Sequence, residues 1–171
     1  MTTTDIIVLI LTSSVISSLL TGLITWIVRK YDYKREYYHE IIKKRLASYD
    51  LIENFISGFV WVVGDVSTGK KYYRCLVDKD TYVHLLIKDL ANAIKFSIWV
   101  DKGSQKLLHK FNDFMFNYNQ YIFNDNLAED ELIEHAIQAY EVVHKLKTDL
   151  NNSILKDIQN LHHIKFKNLL E

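Results

Sequence analysis

One run of residues constrains this chain more than any other. Ile6 to Val28 reads IIVLILTSSVISSLLTGLITWIV and carries no charge. Wound as an α-helix at 1.5 Å rise per residue it reaches about 35 Å, enough to cross a hydrocarbon core of about 30 Å. The competing reading is a helix buried inside a soluble core. The dense basic cluster that follows argues for lipid: Arg29 to Arg45 holds seven Lys/Arg against three Asp/Glu, although the formal net charge of the 171 residues is zero. A cleaved signal peptide fits less well. Only Met1 to Asp5 precede the run, no basic n-region is present, and no A-x-A-like site follows. The run is therefore expected to be an uncleaved transmembrane helix.

Charge also orients it. Lys and Arg stay on the cytoplasmic side, so residues 1–5 are expected outside the inner membrane and residues 29–171 in the cytoplasm. Trp26, Tyr31, Tyr33, Tyr37 and Tyr38 suit the cytoplasmic interface, where amphipathic rings are favoured. Arg29, Lys30, Lys34 and Arg35 form a membrane-surface cluster able to contact anionic headgroups; setting the topology is its plainer role. Ser14, Ser18 and Gly22 recur at i, i+4 and i+8 and line one face with small residues. That face permits close helix packing and hence a homo-oligomer. The alternative is that the hydroxyls simply bond back to their own helix.

The remaining 29–171 segment is long enough for one ordinary domain. Basic charge is confined to the edge of the apolar run, which disfavours a nucleic-acid binder. The single cysteine, Cys75, excludes an internal disulfide, and the absence of proline removes ring-clash helix breaks. Apolar positions Tyr38, Ile41, Ile42, Leu46, Tyr49, Ile52, Phe55, Ile56 and Phe59 predict a stalk helix over 29–57, stopped near Gly58. Residues 59–77 are rich in β-formers around Ser67-Thr68-Gly69 and predict a β-hairpin. Three further helical patterns follow. One carries Thr81, Val83, Leu86, Leu90 and Ile94 to Trp99, capped by Asp78 or Asp80. A second carries Leu107, Leu108, Phe111, Phe114, Met115, Tyr118 and Ile122, ended by Asn124-Asp125-Asn126. The last carries Leu132, Ala136, Ala139, Tyr140, Val143, Leu146 and Leu150, with a kink or split expected at Asn151-Asn152. The expected fold is mainly α: a membrane helix continuing into an antiparallel bundle of about four helices, with a β-hairpin insertion.

Candidate chemistry is sparse. Gly64 to Lys71 matches G-x-x-x-x-G-K, but a strand-like Tyr72-Tyr73-Arg74-Cys75 follows where a phosphate loop needs a helix, and Lys71 replaces the magnesium-binding Ser/Thr. Glu36/His39 and Glu141/His144 repeat the E-x-x-H spacing of di-iron bundles, yet two further inward carboxylates are lacking. His162 and His163 are adjacent and point apart on a helix. Cys75 reads as a small buried hydrophobe. No catalytic residue, cofactor site or metal site is assigned.

Lys34-Arg35-Glu36-Tyr37-Tyr38, Ile41 to Tyr49, and Ile98-Trp99-Val100 with Leu107-Leu108 resemble a loose group of uncharacterised small bacterial single-pass membrane proteins with a helical cytoplasmic domain. The resemblance implies a Gram-positive or similar host and a prophage or phage-defence setting; it implies no activity. The expected function is a non-enzymatic interaction or scaffold module at the inner membrane face, with a protein partner, acting in a setting such as superinfection exclusion. The alternatives are a membrane-perturbing oligomeric effector, or a metal- or nucleotide-dependent enzyme.

Overall fold

The computed structural model describes residues 3–66, 68–124 and 126–170, without the side chains of 4–13, 83 and 162–170. The chain divides into two units, Met1–Lys43 and Lys44–Glu171. Helix α1 spans Thr3–Ser57. In the first unit its described side chains from Ser14 to Glu40 are exposed. Among the described residues no helix is long and apolar enough to cross a membrane. Part of the expected span, residues 6–13, has its side chains outside the described set.

The second unit is a mainly helical domain. After α1 come strand β1 (Val62–Gly64) and strand β2 (Lys71–Tyr73), then a 3-10 turn (Arg74–Leu76). A one-turn helix α2 (Lys79–Thr81) opens into a π-helical stretch (Tyr82–Ile87) and closes into α3 (Lys88–Phe96). A 3-10 turn (Ser97–Trp99) leads to α4 (Lys102–Ile122), and α5 runs Glu129–Leu170.

Contacts fix the helix directions. Arg45 meets Asp157 near the start of the α1 portion, while Lys147 reaches the Phe59 carbonyl beyond its end, so α1 and α5 are antiparallel. Ser104 meets Ser153 and Tyr121 stacks on His135, so α4 and α5 are antiparallel too. The core joins Ile52, Phe55, Phe59, Leu76, Tyr82, Leu86, Leu108, Phe111, Ile122, Val143 and Leu150, all fully buried. Phe111 sits edge-on to Phe55 at 5.0 Å and tilted on Phe59 at 5.7 Å, and Phe59 meets Tyr73 edge-on at 5.4 Å. Apolar stripes at helical spacing produce this core because each helix must bury its apolar face against another element.

Local chemistry sets the boundaries. Asp78 accepts from the Asp80 and Thr81 amides and Asp101 from the Gly103 and Ser104 amides, as N-caps do. The Thr81 amide holds the Asp78 carboxyl below its ordinary range. Gly58 follows α1 where a Cβ would lie 2.8 Å from Leu86 Cδ2, so the close approach to the π-helical stretch favours glycine. Tyr82 and Leu86 of the π-helical stretch and Leu90 of α3 are all buried in the core.

Several expectations change. Leu46 is 49% exposed, and Arg45 turns inward instead. Tyr82, not Thr81, leads the buried stripe of the second helical pattern; Val83 lies outside the described side chains, and Ile98 is 73% exposed. Helix α5 passes Asn151-Asn152 without a split, since both amides lie on its exposed face. The break after α4 stands, although its central Asp125 lies outside the described residues.

Candidate functional site: the exposed first segment and the polar clusters of the domain

In the first unit the residues singled out from sequence lie along one helix. Val15, Ile16, Leu19, Leu20, Leu23, Ile24, Trp26 and Val28 are all exposed; at about 100° per residue they spread over one broad face of the helix, and Ser14, Ser17, Ser18, Thr21, Gly22 and Thr25 fill the strip opposite. The Ser18 hydroxyl donates to the Val15 carbonyl (2.9 Å) and the Thr21 hydroxyl to the Ser17 carbonyl (2.8 Å). These polar groups are thus satisfied within the helix, which removes most of the cost of placing them in lipid. A Cβ built on Gly22 meets nothing within 4 Å. Ser14, Ser18 and Gly22 therefore form an open strip. Arg29, Lys30, Lys34 and Arg35 are exposed, with Lys30 Nζ 5.5 Å from the Trp26 ring. Tyr31, Tyr33, Tyr37 and Tyr38 are exposed beside them, and Tyr37 meets Tyr38 edge-on.

In the second unit two polar clusters stand out, neither anticipated from sequence. The first surrounds Asp157, which is only 7% exposed. Arg45 Nη2 lies 2.7 Å from both of its oxygens, the Tyr49 hydroxyl donates to Oδ2, and the Asp101 amide approaches Oδ2 at 3.3 Å. Burial, then the bond to Asp157, pushes the Tyr49 phenol well above its ordinary value. The Asp101 carboxylate accepts from Ser104 Oγ at 2.5 Å, and Ser153 Oγ is 3.0 Å from Ser104 Oγ. Helices α1, α4 and α5 are thereby pinned at one end of the domain. Arg45 and Tyr49 precede Ile52 and Ile56 at i, i+4, i+7, i+11; Leu150, Ile154, Asp157 and Leu161 repeat that spacing on α5. A charge standing on an apolar stripe was the available signal.

The second cluster lies near β2. The Tyr73 hydroxyl is 2.9 Å from His144 Nδ1, Tyr140 stacks on both rings, and Lys147 Nζ donates to the Phe59 carbonyl at 2.8 Å while lying 5.6 Å from the Tyr73 ring. Lys147 thus satisfies a main-chain carbonyl just past the end of α1, and burial lowers its pKa. His144 is committed to Tyr73 and Glu141 is exposed, so the Glu141/His144 pair does not converge on a metal position. Glu36 and His39 are exposed in the other unit. Among the described residues no group of three or more His, Cys, Asp or Glu could hold a metal ion. The side chains of His162 and His163 lie outside the described residues. Gly64 ends β1, Gly69 turns at φ +66°, and Lys71 begins β2. The glycine-lysine motif is a hairpin turn, with a strand in place of the helix that would face a phosphate.

The buried acids give a pH prediction. Burial pushes Tyr73 up to about 12 and Cys75 up to about 12, and pushes Tyr82 and Tyr118 higher still. Their ordinary values are 10.0 for tyrosine and 9.0 for cysteine. Each stays neutral in the fold and ionises earlier once unfolded, so its contribution is full below the unfolded value and is lost as pH rises through the folded one. Cooperative loss of circular dichroism is expected between pH 9 and 12, with a late tyrosinate absorbance step at the same midpoint. Smooth tyrosine ionisation with no such step would contradict it.

No family model, curated protein or solved structure matches this chain.

Proposed function

We propose that residues 6–28 anchor the chain in the inner membrane, N-terminus outside, and that the helical domain serves as a non-enzymatic interaction or scaffold module at the cytoplasmic face. The observation that carries this is the uncharged surface exposed from Val15 to Val28, most of it a broad apolar face. Such a surface left in water forfeits about 1 kcal/mol or more per side chain, on the order of 10 kcal/mol over this stretch. Lipid can cover an apolar face this broad, and the small and hydroxyl residues opposite it carry no charge. The exposed Trp26, Tyr31 and Tyr33 beside Arg29, Lys30, Lys34 and Arg35 give the aromatic and basic rim expected at a cytoplasmic interface. In the domain, the inward ionic groups are engaged with one another, which suits a rigid platform for a protein partner better than a reaction centre. The resemblance to small bacterial single-pass membrane proteins supports phage defence or superinfection exclusion as one setting for such a module.

Carbonate washing of membranes carrying the full chain tests the anchor. The chain is expected to stay in the pellet, and protease is expected to cut the domain in inverted vesicles but not in intact spheroplasts. Release into the supernatant would end the reading.

The open strip at Gly22 favours a second reading, an oligomeric membrane effector. If copies pack through Ser14, Ser18 and Gly22, Gly22→Ile should reduce crosslinked oligomer about tenfold or more by holding the backbones apart. Because no described neighbour crowds Gly22 within one chain, the monomer should be unaffected. An unchanged crosslinking pattern would exclude this face.

A further inference from the structure

The hairpin leaves one strand edge open. Val62 pairs with Tyr73, Val63 with Tyr72 and Gly64 with Lys71 in antiparallel register. The Arg74 amide donates to the Trp61 carbonyl and the Asp65 amide to the Lys70 carbonyl. In an antiparallel ladder, residues that exchange bonds with the partner alternate with residues whose N–H and C=O face away. Trp61, Val63 and Asp65 therefore bond inward, while Val62 and Gly64 present their main-chain groups outward. The sheet has two strands only, and no hydrogen bond among the described residues takes those groups. Around this edge Val60 and Val62 are exposed, Trp61 is 74% exposed, and Val66 at the turn is fully exposed.

We propose that β1 is a self-pairing edge: two copies of this chain join antiparallel through β1 into a four-stranded sheet, with Val62 opposite Val62 of the other copy. A free edge calls for an extended backbone, and three features select a second copy. Phe59 to Gly64 is an uncharged, β-forming run, the kind of segment such an edge accepts. Pairing it with itself closes on a two-fold axis and leaves neither β1 with an unpaired edge. The flanking charges are balanced for self-association: Lys70, Lys71 and Arg74 stand against Asp65 and Asp78, and Arg74 and Asp78 share the groove at the hairpin base with Val60 to Val63. Each copy brings both signs, so opposite charges can face one another across the axis. Edges this short bury well under the roughly 1,600 Å² of a standard interface, so the contact is weak and reads out at high local concentration. The inference comes from the hairpin alone and does not depend on the anchor.

The full chain tests it in two ways. Val62→Cys and Val66→Cys are compared with a short bismaleimide in the native cell fraction; wild type, whose Cys75 is buried, supplies the blank. Val62→Cys should give crosslinked dimer. Val66→Cys should give about tenfold less despite its greater exposure, because four residues from the axis on each copy put the two positions about 27 Å apart. In parallel, Val62→Pro removes only an outward N–H, which an edge strand tolerates. It should keep the wild-type circular dichroism while losing the dimer seen by light scattering at raised concentration. The proposal is overturned if Val66→Cys crosslinks as well as Val62→Cys, if wild type is monomeric throughout, or if folded Val62→Pro stays dimeric. Crosslinking of Val62→Cys to a different protein and not to itself would also overturn it. Should Val62→Pro fail to fold, the cysteine comparison decides. Loss of membrane binding in the carbonate test would leave both readouts intact, so the two readings fail separately.

Discussion

Asp157→Ala is expected to destabilise the helical domain by about 3 kcal/mol or more, a large share of the total stability of an ordinary domain. The carboxylate is nearly inaccessible and takes bonds from Arg45, Tyr49 and the Asp101 amide at once. Its removal strands the Arg45 guanidinium, whose side chain is 20% exposed and whose Nε has no partner among the described residues. It also leaves the Tyr49 hydroxyl without its acceptor. Breaking a buried ion pair from one side costs far more than replacing both partners. Arg45→Met with Asp157→Leu should therefore lose less than the sum of the two single changes, with a coupling of about 1–3 kcal/mol. Urea denaturation of the four proteins in one cycle measures it. Additive losses would mean that the pair acts only as separate side chains.

Phe111→Ala should cost about 3–5 kcal/mol. The ring is fully buried between Phe55 and Phe59, where α4 meets α1, and those two rings also touch each other. Three mutually packed aromatics cannot close over the space one leaves without forcing the others off their rotamers. Phe116→Ala is the matched control: on the same helix its ring is 77% exposed, and its loss should stay within about 0.5 kcal/mol. Equal losses at the two positions would refute this placement of the core.

Much of the domain was readable in one dimension because its helices bury regular stripes. Leu108, Phe111, Met115, Tyr118 and Ile122 are buried as spaced, and so are Leu132, Ala136, Ala139, Val143 and Leu150. The hairpin was readable from β-formers flanking a turn. What stayed hidden depends on partners distant in sequence. Arg45 and Asp157 lie 112 residues apart, and a single chain's periodicity marks neither as the other's partner. The inward turn of Arg45 also displaced Leu46, which hydrophobicity alone placed inside. The π-helical stretch was hidden because the apolar spacing of Tyr82, Leu86 and Leu90 reads as an ordinary helix. The open edge of β1 emerged only once the register was known, since a one-residue slip exchanges inward and outward groups.

Cys75 is fully enclosed beside Leu76, and its thiol resists ionisation up to about 12. As the only sulfhydryl in the chain, it is a built-in clock for opening of the fold. A chromogenic disulfide reagent at neutral pH will report how often the native state lets go, with no label and no mutation, and the same reading taken on Asp157→Ala converts a loss of stability into a lifetime.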